Sequence, residues 1–429
     1  LNISIKSLIK NFISEFNPSK NVYDRIFIYI LALSILLRAL WLDIPDSLIF
    51  DEKHYVNAVR VILSIPPEKG LFVGATPGID PIPGHPPLAK GIIAFSMMIL
   101  GDNPYGYRIP SVIFAAFSIF IFYLLAKRLS SNPKFSLIAV FLFSFESLFF
   151  IHSRIATLDI FMLTFMIFGL YWLISGNYIL SAISIALSTI SKYPGMFAVL
   201  VVIGYVLLKK NNASIGYELK SRFIKIERFV IAYVITLLST LAILGWLYGG
   251  YINPFDQIIL FFKSASQLAK PTLEGIASYP WQWLLNENQI PYHVTNVNVL
   301  SGGEVIRTYP SRAFWGAMNP AILYLVIPSI AFVTYRYWRT RDNLCLFTLL
   351  WFIFTYLPYY PMSIIMHRIM YIFYFLSAIP PVCLAIAYGL TELKISNKKL
   401  ANIYRISVYV YLLLVLVGFY LYFPFKVIP

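Results

Sequence analysis

The chain has 429 residues, of which 59% are hydrophobic and 12% charged. That balance leaves too little polar surface for a soluble protein and reads as an all-α polytopic membrane protein. A net charge of +15 would suit nucleic acid, yet the lysines and arginines cluster between apolar runs, so the excess reads as membrane topology and no nucleic-acid partner is expected. Cys345 and Cys383 both lie in apolar runs, which excludes a disulfide framework and a cysteine-rich metal site.

The first twenty or so residues mix polar and apolar types around Lys6, Lys10 and Lys20, with no small-residue cleavage site, so no removable signal peptide is expected. A window of roughly 20 residues then predicts about eleven spans, at about 26–43, 109–127, 135–151, 157–174, 178–192, 194–208, 229–249, 314–334, 343–360, 369–390 and 404–424. With the N-terminus in the cytoplasm, the clusters Lys127 to Lys134, Lys209 to Arg228, Arg336 to Arg341 and Lys394 to Arg405 all fall on the cytoplasmic side. The expectation is a multi-pass protein of the cell membrane, one transmembrane domain over 1–429, with two long loops on the outer face. The first loop covers 44–108. The second, 250–312, is expected to form no separate soluble domain.

The first outer loop opens on Phe50-Asp51-Glu52-Lys53-His54-Tyr55. Two adjacent carboxylates at the water boundary can serve as general base and substrate clamp; they can equally cap a surface helix. Further on, Gly84-His85-Pro86-Pro87 holds an imidazole that either occupies a turn or points into a site. Leu88 to Leu100 is apolar but too short to span, which fits an interfacial or re-entrant helix.

Charge at membrane depth is expensive, so the ionisable residues in the spans carry information. Arg38 and Glu146 read as partners inside the bundle. Arg154, Asp159, Lys192 and Arg368 come out on the same side as Asp51 and Glu52, which would gather carboxylates for a nucleophile and cations for a phosphate. Arg154 could instead pair with Asp159, and Lys192 could snorkel to headgroups. Trp281 and Trp283 fit the interfacial aromatic belt, with substrate stacking as the alternative. Absence of duplicated proline or glycine patterns speaks against a transporter of lipid carriers, and no histidine pair has zinc-ligand spacing.

Taken in order, Phe50-Asp51-Glu52 with His54, His85-Pro86-Pro87-Leu88-Ala89-Lys90, Ser153-Arg154 with Leu158-Asp159, Pro280-Trp281-Gln282-Trp283, Asn319-Pro320, and Tyr356-Leu357-Pro358 with Arg368, Tyr371 and Tyr374 resemble the protein O-mannosyltransferase family of GT-C glycosyltransferases. Two positions depart from the family pattern: Met318 replaces the glycine of Gly-Asn-Pro, and Ile372-Phe373-Tyr374 replaces Tyr-His-Tyr. The second loop, about 60 residues, is too short for the family's lumenal β-trefoil domain, as in a compact microbial form.

The resemblance implies a GT-C fold and an inverting transferase. It would take a sugar, mannose in most of the family, from a polyprenyl (dolichyl) phosphate to a Ser/Thr hydroxyl of a protein. It implies Asp51 as base with Glu52 orienting sugar or acceptor, Arg154, Lys192 and Arg368 on the donor phosphate, and His54, Tyr55, His85, Asp159, Trp281 and Tyr371 around the substrate. A lipid acceptor, as in aminoarabinose transferases, is the alternative. Lipid phosphate is a good leaving group, so no cofactor is required; a divalent metal at Glu52, as some GT-C relatives use, is the other option.

Overall fold

A computed structural model describes residues 15–210, 215–248, 253–266, 269, 275–301, 304–393 and 395–426. Lys6, Lys10, Lys394 and parts of the second outer loop lie outside the described residues.

Many of the helices begin in the same way. Asn21, Asn103, Asn132, Asn177, Asn319, Asp342 and Asn397 each accept a hydrogen bond from a first-turn amide, satisfying a donor that the helix cannot. At Asn103-Pro104, Asn132-Pro133 and Asn319-Pro320 the proline fills the first helical position, where an N–H would go unused anyway.

In chain order the helices are α1 (Val22–Ala39), α2 (Glu52–Ile62), α3 (Pro87–Leu100), α4 (Pro104–Leu129), α5 (Pro133–Ser144), α6 (Ser147–His152), α7 (Asp159–Ile174) and α8 (Tyr178–Ser191). A 3-10 turn at Tyr193–Met196 leads into α9 (Phe197–Leu208), α10 (Ile215–Leu247), α11 (Pro254–Ser266) and α12 (Pro280–Trp283). A hairpin of β1 (Ile290–Ser301) and β2 (Glu304–Gly316) follows. Then come α13 (Pro320–Leu323), α14 (Val326–Thr340), α15 (Asn343–Tyr356), α16 (Tyr359–Ile364), a 3-10 stretch at Ile372–Ala378, α17 (Ile379–Glu392) and α18 (Lys398–Leu421).

Every expected span overlaps helix, although 314–334 opens on a strand; among the described residues six helical stretches are both long and apolar enough to cross a membrane: Pro104–Leu129, Leu219–Leu247, Pro320–Thr340, Asn343–Ile364, Ile372–Glu392 and Lys398–Leu421. Elsewhere the helices are shorter, or, in α1, carry Asp24, Arg25 and Arg38. The count of about eleven crossings therefore stands as an expectation. Ile372–Glu392 is buried in protein along most of its length, whereas Leu219–Leu247 and Lys398–Leu421 leave their apolar surfaces almost uncovered, as helices facing lipid do.

The fold is helical as expected, with one small sheet. The second outer loop carries a two-stranded antiparallel sheet, whose register runs from Ile290 opposite Gly316 to Ser301 opposite Glu304. Between the first and second expected spans the chain forms two helices, α2 and α3.

Four helix ends carry side chains that the sequence singles out. α2 begins after Asp51, α3 begins just after His85-Pro86, α7 begins on Asp159, and α8 stops at Lys192. α7 and α8 pack side by side with α4 against α7, so the start of α7 and the stop of α8 share one end of the bundle. The helix dipoles favour that placement, with a carboxylate at an N-terminus and an ammonium at a C-terminus.

Candidate active site

Asp51 and Glu52 are neighbours in the chain with opposite surroundings. Glu52 is fully buried and its oxygens are all spoken for: Oε1 accepts from Arg108 Nε (2.9 Å) and the Ala156 amide (2.9 Å), Oε2 from Arg108 Nη2 (2.8 Å) and the Ile49 amide (3.0 Å). The same Arg108 donates to the carbonyls of Leu42 (3.0 Å), Pro45 (2.6 Å) and Ser47 (3.1 Å). Glu52 thus joins the loop before α2, α4 and the turn before α7, with both carboxylate oxygens engaged by protein donors.

Asp51, by contrast, receives no side-chain hydrogen bond among the described residues and is only partly buried. Burial pushes its carboxyl up to about 6; Lys192 and His54 pull it down and Asp159 pushes it up. These charges act on it because they are close, so Asp51, His54, Asp159 and Lys192 form one group. Lys192 Nζ donates to Asp159 Oδ1 (2.7 Å) and sits over the rings of Phe373 (4.9 Å) and Tyr374 (5.9 Å). An ammonium has three donors, and Asp159 takes one.

His85 joins from the loop before α3. Its carbonyl and that of Ile82 accept from buried Lys90, which also pairs with Asp80, so the loop is clamped from within. Its ring lies 5.6 Å from Tyr55 and 6.5 Å from Tyr193. Burial, then Lys90, Lys192, Arg368 and His54, lower its pKa to about 3, so it is neutral near pH 7. Arg368 reaches the same place, since its charge also acts on Tyr193, Tyr359 and Tyr371. Tyr371 stacks on Phe373 (5.3 Å) and shares the aromatic wall with Tyr374 (6.0 Å).

Buried polar atoms that lack a partner mark what this group faces. His85 Nδ1, Asp159 Oδ2, Tyr193 Oη and Tyr359 Oη are all buried without a hydrogen bond. An orphaned buried polar atom costs about 1–3 kcal/mol, and four of the fourteen such atoms among the described residues gather around this one cluster of charges. Phe50 and His367, the residues immediately before Asp51 and Arg368, both adopt left-handed φ (50° each), a conformation that is strained for such side chains.

Two expected members stand apart. Arg154 does not face this cluster: Nη1 donates to the carbonyls of Leu37 (2.6 Å) and Arg38 (2.8 Å), and Nη2 to those of Leu40 (2.6 Å) and Trp41 (3.2 Å). Its guanidinium caps the C-terminal end of α1, where carbonyls lack intrahelical partners, and only Nε is left without a bond. Among the described residues it does not make the pairing with Asp159 that sequence offered as the alternative. Trp281 is 41% exposed and stacks on Tyr279 (4.5 Å), while buried Trp283 packs on Tyr359 (5.5 Å) and Tyr374 (6.4 Å). Arg38 and Glu146 are inside the bundle as expected but bond to other groups: Arg38 to Ser153 Oγ (2.7 Å) and the Ser144 carbonyl (3.1 Å), Glu146 to the Phe149 (2.7 Å) and Asn319 (3.0 Å) amides.

Sequence reasoning missed His152 and Tyr292. His152 is fully buried, with Nε2 2.8 Å from Tyr292 Oη, Nδ1 3.2 Å from Thr157 Oγ1, and Asp159 Oδ2 3.7 Å away. Tyr292 stacks on Phe50 at 4.0 Å, so the hairpin touches the residue next to Asp51. Gly316 makes room for it, because a Cβ there would come within 2.6 Å of the Tyr292 ring.

The model of the dolichyl-phosphate-mannose-protein mannosyltransferase family matches residues 84–246, which include His85, Asp159 and Lys192. Over this segment, a little over a third of the chain, the sequence is similar to the protein O-mannosyltransferase family. A polyprenol-phosphate-mannose–protein mannosyltransferase of Corynebacterium glutamicum is 34% identical over 122 residues, 27% of this chain and 22% of the relative. The chain therefore matches about a fifth of that relative's length. Among solved structures, the Saccharomyces cerevisiae protein O-mannosyltransferase Pmt1-Pmt2 complex bound to the sugar donor superposes with a TM-score of 0.74 at 12% identity, covering 97% of this chain and 91% of that one. ArnT from Cupriavidus metallidurans in the apo state gives 0.57 at 14% identity, covering 87% and 61%. The likeness to the fold of the Pmt1-Pmt2 complex thus extends over nearly the whole chain.

Proposed function

We propose that this protein is a membrane mannosyltransferase that moves mannose from a polyprenyl (dolichyl) phosphate to a Ser/Thr hydroxyl of a protein acceptor, with inversion at the anomeric carbon. The observation that carries the reading is Asp51: a carboxylate held near pKa 6, free of hydrogen bonds among the described residues, beside Lys192 and its partner Asp159. The names of the curated relatives support the donor and acceptor classes.

Asp51 takes the acceptor's proton as its oxygen attacks the sugar's anomeric carbon. A base poised near the working pH combines ionisation with a real affinity for the proton. The bond from that carbon to the phosphate oxygen breaks, and its electron pair leaves with the carrier. Lys192, held by Asp159, and Arg368 offset the charge that grows on the departing phosphate. Neutral His85, Tyr55 and Tyr371 line the substrate, with His54 at the open side. The distribution of lysine and arginine supports a cytoplasmic N-terminus and a site on the outer face, where the carrier tail stays in the bilayer and its phosphate meets the cluster.

No cofactor enters these steps. Membranes containing the protein, supplied with polyprenyl-phosphate mannose, a Ser/Thr peptide and excess chelator, are expected to give mannosyl-peptide. Sugar appearing only on lipid, or only after a divalent metal is added back, would sink the acceptor or the metal-free part of the reading.

A further inference from the structure

The hairpin has two long edges, and they are used differently. At the base of β2 the edge is covered by the chain itself: the Ala313 amide donates to the Pro424 carbonyl (2.8 Å) and the Lys426 amide to the Ser311 carbonyl (3.1 Å). In an antiparallel pair, residues alternate between bonding across the ladder and directing their backbone groups outward. Ala313 sends its N–H outward to Pro424, so its cross-strand partner Val294 directs its own N–H and C=O away from β2. Val294 is 38% exposed, and among the described residues nothing outside the hairpin bonds its backbone.

That open edge runs into the candidate active site. Pro291 pairs with Trp315 and His293 with Phe314, which leaves Tyr292 as the extra residue of a bulge. Bulges re-aim side chains, and this one turns Tyr292 onto Phe50, the residue before Asp51. Exposed Lys53 and His54 lie on the first turn of α2, and the charge of Lys53 acts on His293 of β1. A strand added to β1 would lie about 4.8 Å from it and advance about 3.3 Å per residue. Its residue two places from the one paired with Val294 would come level with Tyr292. An edge of this kind offers main-chain pairing, which an extended polypeptide can meet and a lipid acceptor cannot.

We propose that the acceptor binds as an added β-strand on the free edge of β1, its backbone paired with Val294 and its hydroxyl-bearing residue level with Tyr292 beside Asp51. This rests on the protein-acceptor reading above. Recognition would be blind to most acceptor side chains, because one face of the new strand points away from the protein and the pairing uses backbone alone.

The test uses the full chain in membranes, polyprenyl-phosphate mannose, and one Ser/Thr peptide N-methylated singly at each position near the hydroxyl. The peptide KM is expected to rise about fivefold or more at alternate positions and to stay level at those between, the loss of one backbone bond at a time. Val294→Pro removes an amide that the hairpin ladder does not use, so it should raise the peptide KM similarly with donor KM unchanged. An N-methyl series without alternation overturns the proposal even if Val294→Pro folds poorly. So does a Val294→Pro protein with normal peptide KM; if its oligomeric state has changed instead, the edge belongs to a second copy of the chain. Wild-type protein that mannosylates no peptide fails the functional reading itself, a result distinct from either.

Discussion

At the end of the bundle where α1 begins and α4 and α7 finish, Asp24 accepts from Lys127 (2.7 Å), Tyr123 (2.7 Å) and the Asn17 amide (2.9 Å), and Glu15 from Arg128 and Tyr171. At the other end, Asp51 has no hydrogen bond among the described residues, Asp159 uses one oxygen of two, and His85, Tyr193 and Tyr359 keep buried polar atoms unpaired. Both ends carry carboxylates, a lysine and tyrosines, so residue type does not separate them. What separates them is saturation. Charges that have spent their bonding capacity on the protein hold the fold, and those that have not are available to a substrate. Glu52 shows that the distinction can fall between adjacent residues.

The contrast can be broken most forcefully at Asp51. Asp51→Asn is expected to lower turnover by about 10²–10⁴ while donor affinity stays within a fewfold, as for loss of a general base; near-normal turnover in a peptide assay would move the chemistry elsewhere. Next comes Arg108→Ala, which strands Glu52 as an uncompensated buried charge and should cost about 3–5 kcal/mol of stability. Thermal denaturation in lipid micelles reads this directly, and lost activity at unchanged stability would return Glu52 to the reaction. The pH profile sharpens the picture further. Because burial raises the Asp51 carboxyl to about 6, the protonated, inactive form builds up as pH falls through that value, and kcat/KM should drop about tenfold per unit below it. An acid limb near pH 4 would mean an ordinary, solvated carboxylate. Smallest is Tyr123→Phe at the saturated end, which removes one of three bonds to Asp24 and should cost about 1 kcal/mol with both KM values unmoved.

The sequence made the unsaturated end partly visible. Composition and span periodicity foretold a helical membrane protein, and the ordering of its spans put Arg154, Asp159, Lys192 and Arg368 on the same side as Asp51 and Glu52. The bonds of Arg154 were hidden because depth and residue type are legible in a sequence, whereas the number of carbonyls a guanidinium will meet is not. Those of Glu52 were hidden for the same reason, its partner Arg108 lying 56 residues away. His152 went unremarked beside Ser153-Arg154, and Tyr292 is one tyrosine of 31. Its importance comes from a bulge and from a stack on Phe50, both long-range facts. The hairpin itself left a trace, the alternating Val297-Asn298-Val299 ahead of Gly302-Gly303, in a segment read only as a loop.

Asp51, Asp159 and Lys192 all lie where a helix starts or stops, and His85 lies just ahead of one. Side-chain exchanges along those helices leave the spacing of the four intact. Adding or deleting a single residue within the first turn of α7 or the last of α8 does not, because it swings the terminus by about 100° around the axis. Tolerance to substitution and intolerance to indels should therefore coexist in these two segments.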